Sequence, residues 1–224
     1  MYNYGDLRVP FFYLHLFIMT ASPTTNANEE LDAINEILAS VGQAPVTTLD
    51  QTNPDVAIAY GALLQVSREV QAEGWSFNTE YKVELTPDSN DEILYPNNVL
   101  QMNLSDGEGY GSKAAIRKNG KLYDKVDHTD KWTDDTVKVD IVYQYDWVDL
   151  PIPVQDYIVA RTASIVSTRI VGDAQQYQFL QQKEMLTRAA ALEYECNQGN
   201  YTYFGHPRGQ NNYISYQPYK ALYR

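Results

Sequence analysis

ELDAINEILASVGQAPVTTLDQTNPDVAIAYGALLQVSREVQAEGWSFNTEYKVEL, from Glu30 to Leu85, is the stretch that decides the fold. It predicts two amphipathic helices that are joined by a short link and followed at once by a strand. Gly42 stands where a left-handed cap ends a helix, and Pro45 keeps that helix from resuming. In the first helix, apolar residues at three- and four-residue steps share one face: Leu31, Ile34, Ile37, Leu38 and Val41.

The second helix has clear start and stop signals. Asn53 is a suitable N-cap, and Pro54 occupies the first helical position, where the missing N–H costs nothing. Gly74 is expected to end the helix. Its predicted apolar face consists of Ile58, Leu63, Val66 and Val70.

Residues 76–150 change to the patterns of strands. Tyr81, Val83 and Leu85 alternate with polar residues, as a half-buried strand requires. Asn119-Gly120 lies between two short runs, which is a strong hairpin signal. We therefore expect a small antiparallel sheet, with a polar loop at 86–96 and a glycine-rich loop at 105–112. Two further strands are predicted at 99–104 and 136–148, the longer with Val137, Val139, Ile141, Tyr143, Tyr145 and Trp147 on one face.

Helical patterns return after Pro151 and Pro153. A third helix, marked by Val154, Ile158, Ile165 and Val166, is expected to break at Gly172-Asp173. A fourth is predicted for 174–197, with an apolar face of Phe179, Leu180, Leu186, Ala190 and Leu192. The predicted fold class is α+β. Two helices before the sheet and two after it form one antiparallel bundle, the sheet is an insertion, and an extended C-terminal tail follows.

This pattern divides the chain into four parts. We expect an N-terminal extension at 1–25, a helical bundle made of 26–75 and 151–197, a β-sheet domain at 76–150, and an extended arm at 198–224. The first part contains a mostly apolar run at 9–19, which is too short to span a bilayer. We interpret Met19 as a plausible start of translation. An extra segment packed on the body and a targeting segment are the alternatives for the residues before it.

The C-terminal arm differs in composition from the rest of the chain. It has no acidic residue, three basic residues and six tyrosines, and its glycines and prolines forbid a long helix. Such a segment does not build its own core but suits the surface of a partner, where Tyr and Arg dominate binding energy. A disordered or self-packed arm is the alternative.

Composition limits the classes of function. The 224 residues are 44% hydrophobic, which is enough for a sizeable core. A net charge of −12 argues against a surface that grips phosphate, and the one basic cluster in the middle region is Arg117, Lys118 and Lys121. The single cysteine, Cys196, excludes an internal disulfide framework and fits synthesis in a reducing cytoplasm. The nineteen tyrosines suggest extensive half-buried surface, as at subunit contacts.

Templates for catalysis and metal binding fit poorly. The three histidines, His15, His128 and His206, have no ligand spacing, so no metal site and no cofactor are predicted. Asp88, Asn90 and Glu92 resemble the start of a calcium loop, but Ile93 stands where that loop needs glycine. Paired carboxylates that meet only in space remain possible in any sequence of this kind.

The strings ILASVGQAPVTTLD (37–50) and EVQAEGWSFNTEYKVEL (69–85) resemble the tail tubular protein A family of short-tailed (podovirus) phages. The resemblance is dense from Glu30 to Leu85 and looser to about Gly199. It implies a structural, non-enzymatic protein of the virion, made in the host cytoplasm.

The family forms a twelve-fold ring that joins the portal to the tail nozzle and surrounds a channel for genome DNA. The resemblance extends a portal contact to the C-terminal arm, with Tyr213, Tyr216, Tyr219, Tyr223 and Arg224 as the expected binding residues. No membrane partner is expected, and DNA is expected to pass without specific binding. A generic module of another ring or filament is the main alternative, and a tail-associated polysaccharide-degrading enzyme is a weaker one.

Overall fold

The structure, a computed structural model, describes residues 29–105, 110 and 113–199. This part of the chain is α+β, as predicted, with four α-helices and small antiparallel sheets. Its elements in chain order are α1 Glu29–Ser40, α2 Pro54–Gln71, β1 Thr79–Leu85, β2 Val99–Leu104, β3 Ala115–Lys118, β4 Lys121–Asp124, β5 Val137–Tyr143, a 3-10 turn Trp147–Asp149, α3 Ile152–Ile170 and α4 Ala174–Gly199. No helix in these ranges is long and apolar enough to cross a membrane.

The predicted end of α1 and the predicted start of α2 are confirmed. Gly42 has a φ of 77°, the left-handed conformation that closes a helix. The Asn53 side chain accepts a hydrogen bond from the Asp55 N–H at 3.1 Å, and Pro54 is the first residue of α2. The other end of α2 comes earlier than predicted, at Gln71, and Gly74 adopts a positive φ three residues further on.

The four helices contribute to one apolar core, and α3 lies at its centre. The helices α1, α2 and α4 each pack against α3, whereas α2 and α4 have almost no contact with each other. These contacts do not establish that the four helices form an antiparallel bundle, so that arrangement stays a prediction. The predicted domain boundaries also stay predictions. The fully buried members of this core include Ile34, Ile37, Val66, Val70, Val154, Ile158, Val166 and Ala191.

The prediction for the buried face of α2 is wrong at one position. Ile58 is 40% exposed, and Val56 and Ala59 are buried in its place. A helix turns about 100° per residue, so Ile58 lies roughly 140° around the helix from Leu63. The predicted set therefore combined residues from two faces of α2.

The middle region forms two sheets rather than one. Strands β1, β5 and β2 pair in that order, while β3 and β4 form a separate hairpin. The hairpin prediction is confirmed, because Asn119 and Gly120 both adopt positive φ, at 53° and 75°. A second core lies here: Ile93, Tyr95, Val99, Met102, Leu122, Trp132, Val137, Val139 and Ile141.

Strands β1 and β5 are less regular than predicted. The long strand expected at 136–148 ends at Tyr143, and Trp147 lies in the 3-10 turn instead. In β1 the register shifts between Glu80 and Val83, with Lys82 at a φ of 56°, so Tyr81 is 49% exposed. A bulge of this kind breaks the simple alternation that the sequence suggests.

A buried polar junction, made of Gln71 and Asn78 with the backbone at Tyr143 and Tyr145, connects the helices to the three-stranded sheet. The Gln71 carboxamide accepts from the Tyr145 N–H at 2.7 Å and donates to the Tyr145 carbonyl at 3.2 Å. The Asn78 amide donates to the carbonyls of Gln71 and Tyr143, at 2.9 and 2.8 Å. Because Gln71 and Asn78 are both fully buried, each of these groups depends on its protein partner.

We expect Gln71→Leu to destabilise the protein, because it leaves the N–H and carbonyl of Tyr145 without the partner they have now. The loss should be about 2–4 kcal/mol, the cost of two unsatisfied buried groups. Gln65→Leu is the matched control, because Gln65 is exposed on the same helix and its side chain bonds Glu69. Urea unfolding measures both variants, and equal stability of the two would contradict a stabilising role of the junction.

Candidate interaction surfaces

The residues predicted to bind the portal lie outside the described part of the chain. Tyr213, Tyr216, Tyr219, Tyr223 and Arg224 belong to the C-terminal arm, which follows α4. Their role stays a prediction. The N-terminal extension and most of the glycine-rich loop at 105–112 also lie outside the described residues.

The face of α4 that contacts the rest of the protein is largely polar. Glu184 accepts a hydrogen bond from Ser164 of α3 at 2.9 Å, and Arg188 donates to the Tyr157 hydroxyl at 3.1 Å. Near the end of α4, the Glu195 carboxylate accepts from the Ser76 N–H and hydroxyl, at 3.0 and 2.8 Å. These bonds hold α4 along its length against α3 and the segment that follows α2.

The opposite face of α4 presents large apolar side chains to the outside. Phe179 and Leu186 are seven residues apart, so they recur after about two turns on that side, and Glu193 follows Leu186 after seven more. Met185 and Leu192 form a second pair at the same spacing, roughly 120° around the helix. Between 45% and 73% of each of these apolar side chains is exposed. We call Phe179, Leu186 and Glu193 the α4 outer face, and large apolar side chains exposed in a row make it a candidate site of interaction.

This arrangement corrects the prediction for the fourth helix. Phe179, Leu186, Ala190 and Leu192 were expected to face the helical core, and all four are exposed. Leu180 packs against the core, and the fully buried apolar residue of α4 is Ala191. Ionic and hydrogen-bonding groups make most of the inward contacts, so apolar periodicity alone selected the wrong side.

The basic cluster of the hairpin is occupied by contacts within the chain. The Arg117 guanidinium lies 5.1 Å from the ring centre of Tyr95, and the Lys118 ammonium 3.9 Å from that of Tyr123. The Lys121 ammonium lies 2.6 Å from a Glu92 carboxylate oxygen. Of these three positive groups, Lys121 is neutralised by an ion pair, whereas Arg117 and Lys118 stay exposed beside their aromatic rings.

The segment that resembles a calcium loop is closed by its own hydrogen bonds. The Asp88 side chain accepts from the N–H groups of Asn90 and Glu92, which lowers the pKa of Asp88. Hydrogen bonds from Lys121 and Lys131 likewise lower the pKa of Glu92. Among the described residues, no group of His, Cys, Asp and Glu is placed to hold a metal ion.

A shallow cleft of about 190 Å³ lies between α1 and the start of α3 and contains three carboxyl groups, Asp32, Glu36 and Asp156. Glu36 is ion-paired with Lys183. Burial raises the pKa of Asp156, repulsion from Glu36 adds to this, and Lys183 opposes it. Glycoside cleavage needs two carboxyl groups that face each other across the bond to be cleaved. In this cleft one of the three carboxylates, that of Glu36, is held by Lys183.

The raised pKa of Asp156 predicts that Asp156→Asn stabilises the protein at neutral pH. The folded chain holds this proton at a higher pH than the unfolded chain does, so the ionised group opposes folding above its folded pKa. At pH 7 the variant should melt slightly higher than the wild type, because Asp156 is exposed on one side and solvent weakens the effect. The gain should disappear below the ordinary Asp pKa of 3.8, where both states are protonated.

Melting curves at pH 7 and pH 3 test this prediction. Asp135→Asn is the control, because Asp135 is exposed and lies away from the cleft. A lower melting temperature for Asp156→Asn at pH 7 would mean that the Lys183 attraction outweighs burial.

The described part of the chain combines a helical core, two small sheets and an exposed apolar face on α4. The family model for tail tubular proteins matches residues 31–201. Tail tubular protein A of Klebsiella phage KP34 is 31% identical over 170 residues, which cover 75% of this chain and 88% of that protein. The chain belongs to the tail tubular protein family, and it is a structural component of a phage tail.

Proposed function

We propose that this chain is the head-to-tail adaptor of a short-tailed phage. Copies of it form a ring, of twelve in the resembling family, that joins the portal to the tail nozzle and surrounds part of the channel for DNA ejection. The observation that carries this proposal is the apolar outer face of α4 on a protein that belongs to a tail family. A monomer gains nothing from such a surface, whereas an assembly buries it.

Electrostatics support a channel through which DNA passes without binding. Each copy has a net charge of −12, and many copies in a ring would repel the phosphate backbone. Among the hairpin cations, Lys121 is paired with Glu92, so Arg117 and Lys118 offset only a small part of this repulsion.

We expect no measurable binding of duplex DNA at physiological salt. Non-specific DNA binding depends on clustered Lys and Arg that release counterions from phosphate, and the exposed pair Arg117 and Lys118 is small against a net charge of −12. A filter-binding assay with a random-sequence duplex measures this. Tight binding that weakens steeply with added salt would contradict the proposal for the channel.

The portal contact is proposed for the C-terminal arm. α4 continues to Gly199, and Glu195 holds its last turns against Ser76, so the arm starts from a fixed point on the body. Tyr213, Tyr216, Tyr219, Tyr223 and Arg224 are the proposed anchors. Many arms in one ring would bind at high effective concentration, which compensates for the cost of ordering each arm.

Truncation after Gly199 should leave a folded protein that no longer joins the portal, because α4 and its contacts stay complete. Circular dichroism and urea unfolding check the fold, and co-sedimentation with purified portal measures binding. Replacing Tyr213, Tyr216 and Tyr219 by Ala should weaken binding more than replacing them by Phe, which keeps the ring contact. Unchanged portal affinity of the truncated chain would contradict the assignment.

The nozzle contact is proposed for the β-sheet region, because its β3–β4 hairpin packs against β2 rather than against the helices. The Asn119-Gly120 turn is the clearest candidate among the described residues. Membership of the tail family favours this adaptor role over the module of another ring or filament.

A further inference from the structure

A second exposed face lies on α2. Ile58, Gly61, Leu64 and Arg68 follow at three- and four-residue steps, so they share one side of the helix. All four are exposed, while the opposite side of α2 is buried in the core. We call these four residues the α2 outer face. It is apolar at Ile58 and Leu64, and its centre is a glycine.

Gly61 is not needed by the fold of a single copy. A Cβ at this position would meet nothing within 4 Å among the described residues, and no positive φ requires glycine there. Glycine in a helix interior costs about 0.5–1 kcal/mol relative to alanine. Close approach of another helix is the physical role that would use a glycine between two exposed apolar side chains.

The two outer faces are separate surfaces of the chain. α2 and α4 both pack against α3 but have almost no contact with each other. Two different exposed faces on one chain suit a head-to-tail contact between copies, which closes into a ring when the rotation allows it. A two-fold dimer would instead need one face that matches itself.

Charge is complementary as well. The charged residue of the α2 outer face is Arg68, and that of the α4 outer face is Glu193. Both are exposed, and neither forms an ion pair with another described residue. Opposite charges at the edge of an apolar contact fix which way the two surfaces align.

We propose that the α4 outer face of one copy packs on the α2 outer face of the next copy. The Leu186 side chain lies over Gly61, between Ile58 and Leu64, and Glu193, seven residues further along α4, pairs with Arg68, seven residues further along α2. This inference rests on the proposed ring and names the surface that joins its copies. The occupant of both faces is a second copy of this chain.

The first test changes the space at the glycine. Gly61→Ala should raise the melting temperature of the isolated chain, because alanine favours the helix, and yet weaken self-association. Gly61→Leu should weaken self-association by about ten- to a hundredfold, since overpacking a close contact costs about 1–3 kcal/mol. Mass photometry of the full chain, alone and with purified portal, measures the assembled fraction. A Gly61→Leu variant that assembles as the wild type does would overturn the inference.

The second test reverses the charges. Arg68→Glu and Glu193→Arg should each weaken assembly several-fold, and the double variant should recover most of the loss. Both side chains are exposed, so each variant is expected to fold, and circular dichroism checks this. Losses that simply add in the double variant would overturn the pairing.

The third test distinguishes the possible occupants. In a Cys196→Ser background, Leu64→Cys and Leu186→Cys chains are mixed and treated with a flexible bis-maleimide. Cross-links between the two variants support head-to-tail packing, whereas links within Leu186→Cys alone indicate a two-fold contact and overturn it. A third outcome is that the thiol of the Leu186→Cys variant is protected from the maleimide in a monomer, and that truncation after Gly199 removes this protection. The chain's own arm would then cover α4, and head-to-tail packing would be overturned.

The outcomes separate this inference from the proposed function. If the wild type forms rings or joins the portal and the variants do so equally well, the α4–α2 contact is wrong and the adaptor role stands. If the wild type neither self-associates nor joins the portal, both fail.

Discussion

The fold depends on the pairing of the buried Gln71 amide with the peptide group of Tyr145. This pairing joins the end of α2 to the chain that leaves β5, two segments far apart in sequence. A buried carboxamide must bond through both its oxygen and its nitrogen, so only one orientation of α2 against this segment satisfies it. The bonded peptide group lies two residues after the end of β5 at Tyr143 and two residues before Trp147, the first residue of the 3-10 turn.

The constraint extends from the junction to α4. Asn78 bonds the carbonyls of Gln71 and Tyr143, and the neighbouring Ser76 is bound by Glu195. Polar groups therefore hold α4 in place, and its large apolar residues are left to face outward. In a protein that belongs to a tail family, the natural use of that surface is contact with other subunits, and the exposed face of α2 offers a complementary surface on the same chain.

Local signals in the sequence predicted much of the fold. The N-cap at Asn53, the left-handed Gly42 and the Asn119-Gly120 turn each depend on a few neighbouring residues, and each is confirmed. Apolar periodicity failed at Ile58 and along α4, because it reveals the apolar side of a helix but not whether that side meets the chain's own core or a partner. The strand predicted at 136–148 was too long, and Tyr145 within it is bonded to Gln71 of α2, a long-range contact that no local pattern contains. The portal-binding residues came from composition and family resemblance, and their assignment stays a prediction.

Electron cryomicroscopy of the intact tail tests the central claim most directly, namely that the exposed helix faces serve assembly of an adaptor ring. The account predicts a closed ring of this chain between portal and nozzle, with Leu186 of each copy buried against the α2 helix of its neighbour. A reconstruction in which the chain lies elsewhere in the tail, or in which the α4 outer face points into solvent around the ring, would contradict it.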